Sequence, residues 1–218
     1  MKMAHDPALF TRIGLGVLEH LGSPSLPDSE GNTPALSGRV ILVSSAHAGE
    51  GKSFVAQGLA HALAEQQEGD VVWVDAAFDT PLVEADISRC GAAGLSEIMT
   101  LGSLQGLAPA GWGPERLWRL GRGVLAQRSL LFRPEAVRKG LMALRAGFAL
   151  TVLDAPSLGS CGALLAEVDA GVLVVDARRT SRHDALQALA EARFDRERLA
   201  GIVLNHRPRP IPRWLGGD

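Results

Sequence analysis

Short runs of β-branched and aliphatic residues recur along the chain from Val40 onward, and most are followed by a longer stretch with helical spacing. RVILVSS (39–45), DVVWVD (70–75), ALTVLD (149–154), AGVLVVD (170–176) and AGIVLN (200–205) predict strands. Strands alternating with helical blocks predict an α/β fold, a doubly wound, mostly parallel sheet with helices on both faces. The runs are continuously apolar rather than alternating, as expected when both faces of a sheet are covered. RLWRLG (116–121) predicts a weaker strand. The main strands run into polar residues, namely Ser44, Asp75, Asp154, Asp176 and Asn205. Ligands of open α/β sheets bind beyond the carboxyl ends of the strands, so several of these side chains are expected to converge on one crevice.

The flanks read differently. ALFTRIGLGVLEHL (8–21) predicts a helix ending near Gly22, free to dock on the domain or on a neighbour, and SPSLPDSEGNTP (23–34) is a Pro/Ser/Gly connector. The stretch 92–133 is rich in glycine and proline and predicts a surface excursion with one or two short helices. RPRPIPRWLGGD (207–218) is too proline-rich for a helix, and its Trp214 is expected to pack back. The organisation that follows is a helix and linker over 1–35, one α/β domain over 36–206, and a Pro-rich tail over 207–218.

Composition narrows the partners little. The chain has 218 residues, 46% of them hydrophobic, which suits a single well-buried domain. Its 22 basic and 24 acidic side chains are scattered and give a net charge of −2, so no basic tract points to nucleic acid. No apolar run reaches the ~18 residues of a spanning helix, and MKMAHDPALF lacks the apolar core of a secretory signal. A cytoplasmic protein without direct membrane insertion is the expectation. Cys90 and Cys161 stand outside any CxxC or His/Cys metal spacing and read as reduced structural thiols.

The chemistry is concentrated where the first strand ends. Residues 46–53 read AHAGEGKS, the A-x-x-x-x-G-K-S variant of the phosphate-binding loop, with Ala46 where glycine is usual. In such a loop glycines allow successive backbone N–H groups to face phosphate oxygens, the lysine reaches the β- and γ-phosphates, and the hydroxyl can ligate Mg²⁺. Gly49, Glu50, Gly51, Lys52, Ser53 and Phe54 are therefore the candidate nucleotide-binding residues. FVAQGLAHALAEQ would aim its positive helix end at the same phosphates. Asp154, at the end of ALTVLD and followed by Ala155 and Pro156, occupies the position from which a carboxylate holds a metal-bound water. Asp75 ends the strand one helix after the loop.

Taken together, GEGKS (49–53), VDAAFDTP (74–81), GLSEIM (94–99), LDAP (153–156) and GVLVVDARRT followed by GIVLN resemble the cytoplasmic ATPase domain of bacterial tyrosine kinases, within the ParA- and MinD-like deviant P-loop NTPases. The resemblance runs from about Leu9 to Asn205. It implies ATP or ADP and Mg²⁺ as cofactors, with Lys52, Asp75 and Asp154 as catalytic residues and Ser53, Asp75 and Asp154 around the metal. It also implies that Asn205 contacts adenine. His47 stands where ParA and MinD proteins carry a signature lysine, which favours the kinase-like branch. Ala77 replaces the second carboxylate of the family's D-x-D motif and Asp79 its arginine, so weaker metal placement is expected. Ala8, Thr11 and Gly14 stand where the family's ring-closing helix has Glu, Arg and Arg.

The chain contains no tyrosine. The resemblance then implies a kinase-like ATP-binding protein of bacterial exopolysaccharide or capsule biosynthesis and export, without tyrosine autophosphorylation. Its partner would be a membrane polysaccharide co-polymerase or export protein, which recruits it to the inner face of the cell membrane, and a homo-oligomer is possible. A ParA/MinD-like positioning ATPase and a tyrosine kinase acting only in trans are the alternatives.

Overall fold

The computed structural model describes residues 7–22, 38–79, 94–102, 104 and 107–207. Helix α1 (Pro7–Leu21) precedes strand β1 (Arg39–Ser45), helix α2 (Lys52–Gln66) and strand β2 (Val71–Asp75). There follow α3 (Leu95–Leu101), β3 (Leu107–Pro109), β4 (Leu117–Leu120), α4 (Pro134–Gly147) and β5 (Leu150–Asp154). The chain continues through α5 (Leu164–Glu167), β6 (Ala170–Asp176), α6 (Arg182–Glu191) and β7 (Leu199–Asn205).

The strands form one sheet in the order β3-β4-β2-β5-β1-β6-β7. All neighbours are parallel except β3 and β4. This is the expected doubly wound sheet, with β1 in its interior between β5 and β6. Side chains alternate across β1: Val40 and Leu42 join a core with α3, α4 and α6, while Ile41 and Val43 join a core with α1 and α2. Burial on both sides explains why the sequence of β1 shows no polar alternation.

Three features depart from or sharpen the sequence expectation. The antiparallel edge strand β3 lies in the Gly/Pro-rich stretch read as an excursion, where three residues carry no pattern of their own. At the opposite edge the expectation of two covered faces fails: Ile202 and Leu204 are 50% and 56% exposed. They lie opposite Leu173 and Val175, on the face where the helices cover β6 but stop short of β7. Helix α1 docks on the domain itself. Its Phe10 fits against Gly58 of α2, where any Cβ would come within 2.4 Å of the ring. Thr11 and Gly14 lie against Gln66, whose amide donates to the Thr11 carbonyl at 3.2 Å. Cys90, the connector 23–34 and the tail with Trp214 lie outside the described residues.

Candidate nucleotide site

β1 ends at Ser45, and the chain turns through 46–51 into α2. Gly49 and Gly51 take left-handed φ values of 83° and 93°, which only glycine adopts without strain. Gly51 caps α2 and offers no capping side chain, so the helix begins as an uncapped set of N–H groups suited to an anion.

The loop is held from below by Glu50, which is 3% exposed. Its carboxylate accepts from the backbone N–H of His47 (2.9 Å) and of Asp176 (3.1 Å), and from the Thr180 hydroxyl. Its carbonyl accepts from the Asn205 side-chain amide at 2.9 Å. The loop is thus fastened to the ends of β6 and β7 before any ligand arrives, so its shape is fixed in advance. The Glu50 side chain points into the protein and supports the loop; what it can offer a phosphate is its backbone N–H. Asn205 is likewise committed: its Nδ2 holds the loop and its Oδ1 accepts from the His206 N–H at 2.9 Å. The adenine contact that the resemblance implies for Asn205 would have to be made by an amide that already holds the loop. Phe54 is 37% exposed and meets the Phe10 ring edge-on at 5.7 Å, which ties α1 to the start of α2.

The two aspartates lie directly opposite one another, Asp75 on β2 and Asp154 on β5, and Asp154 is also opposite Val43 of β1. Register alone therefore brings both carboxylates to the base of the loop. Asp154 is 3% exposed. Burial pushes its pKa up to about 7; the hydrogen bond from Ser53 opposes the rise, the Asp75 charge adds to it, and Lys52 and Arg122 oppose it. Its Oδ1 is buried without a hydrogen-bonding partner. An orphaned carboxylate oxygen beside a serine hydroxyl fits a metal-bound water, so Ser53 and Asp154 suit Mg²⁺. Among the described residues no group of three His, Cys, Asp or Glu is placed to hold a metal, so phosphate and water oxygens would supply the remaining ligands.

Asp75 is in a different state. Arg122, just beyond β4, donates to Asp75 Oδ2 through Nε and through a terminal nitrogen, each at 2.8 Å. The Ala77 N–H donates to Asp75 Oδ1 at 3.0 Å. The roles of base and metal ligand implied for Asp75 thus meet a carboxylate already paired with a cation. Sequence reasoning did not single out Arg122, although it is the polar residue following β4 on the same sheet edge as Asp75 and Asp154. Nor did it anticipate the pairing of Asp176 Oδ2 with His206 Nδ1 at 3.0 Å. The Arg178 N–H and His206 hold Asp176 below the usual carboxylate range.

No protein-family model matches this sequence, and no curated protein matches it. Solved structures do match. The kinase domain of VpsO superposes with a TM-score of 0.65 at 20% identity over 92% of this chain and 97% of its own. The kinase domain of Escherichia coli tyrosine kinase ETK gives 0.62 at 16% identity over 81% and 72%. This is the fold of tyrosine-kinase and ParA-like ATPase domains. A ParA family ATPase from Chlorobium tepidum TLS, at 0.56 and 20% identity over 77% of this chain and 74% of its own, completes the comparison. At identities of 16% to 20%, what is shared is the architecture. Among the described residues no helix is long and apolar enough to cross a membrane.

Proposed function

We propose that this protein is a kinase-like P-loop ATPase domain that binds ATP and ADP with Mg²⁺ and signals its nucleotide state to a partner. The observation that carries the reading is the placement of Lys52 and Ser53 at the uncapped start of α2, beside the strand ends where the buried Asp154 stands. In this reading the loop N–H groups and Lys52 cradle the phosphates, and Ser53 and Asp154 orient the metal. Mg²⁺, when bound, supplies charge neutralisation at the phosphates.

The chain offers no tyrosine as an acceptor, so self-modification on tyrosine does not occur within these 218 residues. Its role is then to bind a partner differently in the ATP and ADP states. The partner we propose is a membrane protein of bacterial exopolysaccharide or capsule synthesis and export, which would recruit the domain to the inner face of the membrane. Support comes from the sequence resemblance and from the fold shared with tyrosine-kinase domains. Deleting the gene and measuring the amount and chain length of surface polysaccharide tests the role. A change in either quantity supports it, and unaltered polysaccharide contradicts it. Phosphate release from purified protein, compared with a Lys52→Ala variant, separates a domain that turns nucleotide over from one that holds it.

A further inference from the structure

The Arg122–Asp75 pair is built in rather than incidental. Arg122 lies between Gly121 and Gly123, and helix α3 fixes this short segment by donating from Leu95 N to the Gly121 carbonyl (2.9 Å) and from Ser96 N to the Arg122 carbonyl (3.0 Å). Behind it lies a second buried carboxylate, Glu97, which accepts from Gly94 N (2.7 Å), the Ser96 hydroxyl (2.9 Å) and Leu125 N (3.0 Å). Gly123 has φ +82°, and a Cβ there would fall 1.8 Å from the Glu97 carboxylate, so the segment can pass only as glycine. Arg122, whose guanidinium emerges from this frame, is 8% exposed. Besides its two contacts with Asp75, it donates to the Ala77 carbonyl at 3.0 Å. Three N–H groups of one rigid fork thus grip the segment Asp75–Ala77, a geometry that arginine supplies and lysine does not.

We propose that Arg122 is a resident counter-ion which withdraws Asp75 from metal coordination, so that this site holds nucleotide with little dependence on a divalent cation. The inference rests on the nucleotide-binding reading above. Asp75 and Asp154 face each other across adjacent strands, and two carboxylates so placed do not both ionise readily unless a cation neutralises one of them. In this protein one of them already has a cation, covalently part of the chain. A metal entering the site would either separate a buried guanidinium from its carboxylate, at a cost, or rely on Asp154 and Ser53 without Asp75. The small residue at Ala77 is part of the same arrangement. Its backbone N–H and carbonyl bind Asp75 and Arg122 respectively, and it brings no second carboxylate to draw the arginine away.

The test is titration of the full chain with a fluorescent N-methylanthraniloyl-ADP, once in magnesium chloride and once in excess EDTA, for wild type, Arg122→Met and Arg122→Lys. The expected wild-type affinities agree within about threefold, and Arg122→Met widens the ratio to about tenfold or more, with Arg122→Lys between them. A wild-type affinity that falls tenfold or more in EDTA overturns the inference, whether or not the variants fold. So does a folded Arg122→Met protein with an unchanged ratio. Absence of binding in both conditions removes the nucleotide reading itself, and this inference with it.

Discussion

The side chain of Asn205 occupies the space that a Cβ on Gly51 would need: such an atom would lie 2.1 Å from Asn205 Nδ2. The last strand of the sheet thus closes over the last glycine of the loop, and the amide that excludes the methyl group also holds the Glu50 carbonyl. Substituting Gly51→Ala sets an L-residue at φ +93° and pushes Asn205 off the loop. A loss of at least about 1–2 kcal/mol of stability is expected from the left-handed backbone alone. Urea unfolding measures it, and a Gly51→Ala protein as stable as wild type would show that the loop and Asn205 rearrange freely.

Glu50 carries the loop's connection to β6. Glu50→Ala removes the acceptor of His47 N, Asp176 N and the Thr180 hydroxyl together. Stability should fall by about 3 kcal/mol, since buried donors are left unpaired. Hydrogen exchange at the His47 amide should accelerate more than exchange in the middle of β6. Equal acceleration at both places would mean that Glu50 supports the sheet as a whole and not the loop.

Burial of Asp154 makes stability fall with rising pH. The folded protein keeps this proton up to about pH 7, whereas an ordinary aspartate releases it near 3.8. Between these values the folded state binds more protons than the unfolded state, so this group erodes stability as pH climbs through the window and no further above it. The erosion is at most about 4 kcal/mol in the ligand-free protein. Asp154→Asn cannot ionise, so its melting temperature relative to wild type should rise from about pH 4 to about pH 7 and then level off. A difference that stays flat across this range would contradict the burial argument.

Helix α1 belongs to the core. Phe10 is 4% exposed, packs into the gap at Gly58 and meets Phe54. Phe10→Ala should cost about 3 kcal/mol or more in thermal or urea unfolding, as for other buried phenylalanines. A cost near zero would mean that α1 detaches without consequence.

Much of this architecture is legible in the sequence because the information is local. Continuous apolar runs mark the buried parallel strands, and polar residues at their ends mark the sheet edge where Asp75 and Asp154 meet. What escapes is long-range. Glu50 reads as a loop residue, yet its partners Asp176 and Thr180 lie 126 and 130 positions away. Arg122 sits between two glycines in a stretch without periodicity, and only the pairing of β4 with β2 places it beside Asp75. β3 is too short to declare itself. Asn205 is found as a strand-end residue, but whether its amide faces a ligand or the loop depends on the left-handed turn at Gly51, which local sequence does not specify.

Lys52 is the side chain through which we propose that this P-loop holds nucleotide. Isothermal titration of the purified chain with Mg·ATP and Mg·ADP, beside Lys52→Ala, tests it most directly. Saturable binding that weakens by about tenfold or more in Lys52→Ala is the predicted result. No binding by the wild-type protein, or equal binding by Lys52→Ala, would contradict the account.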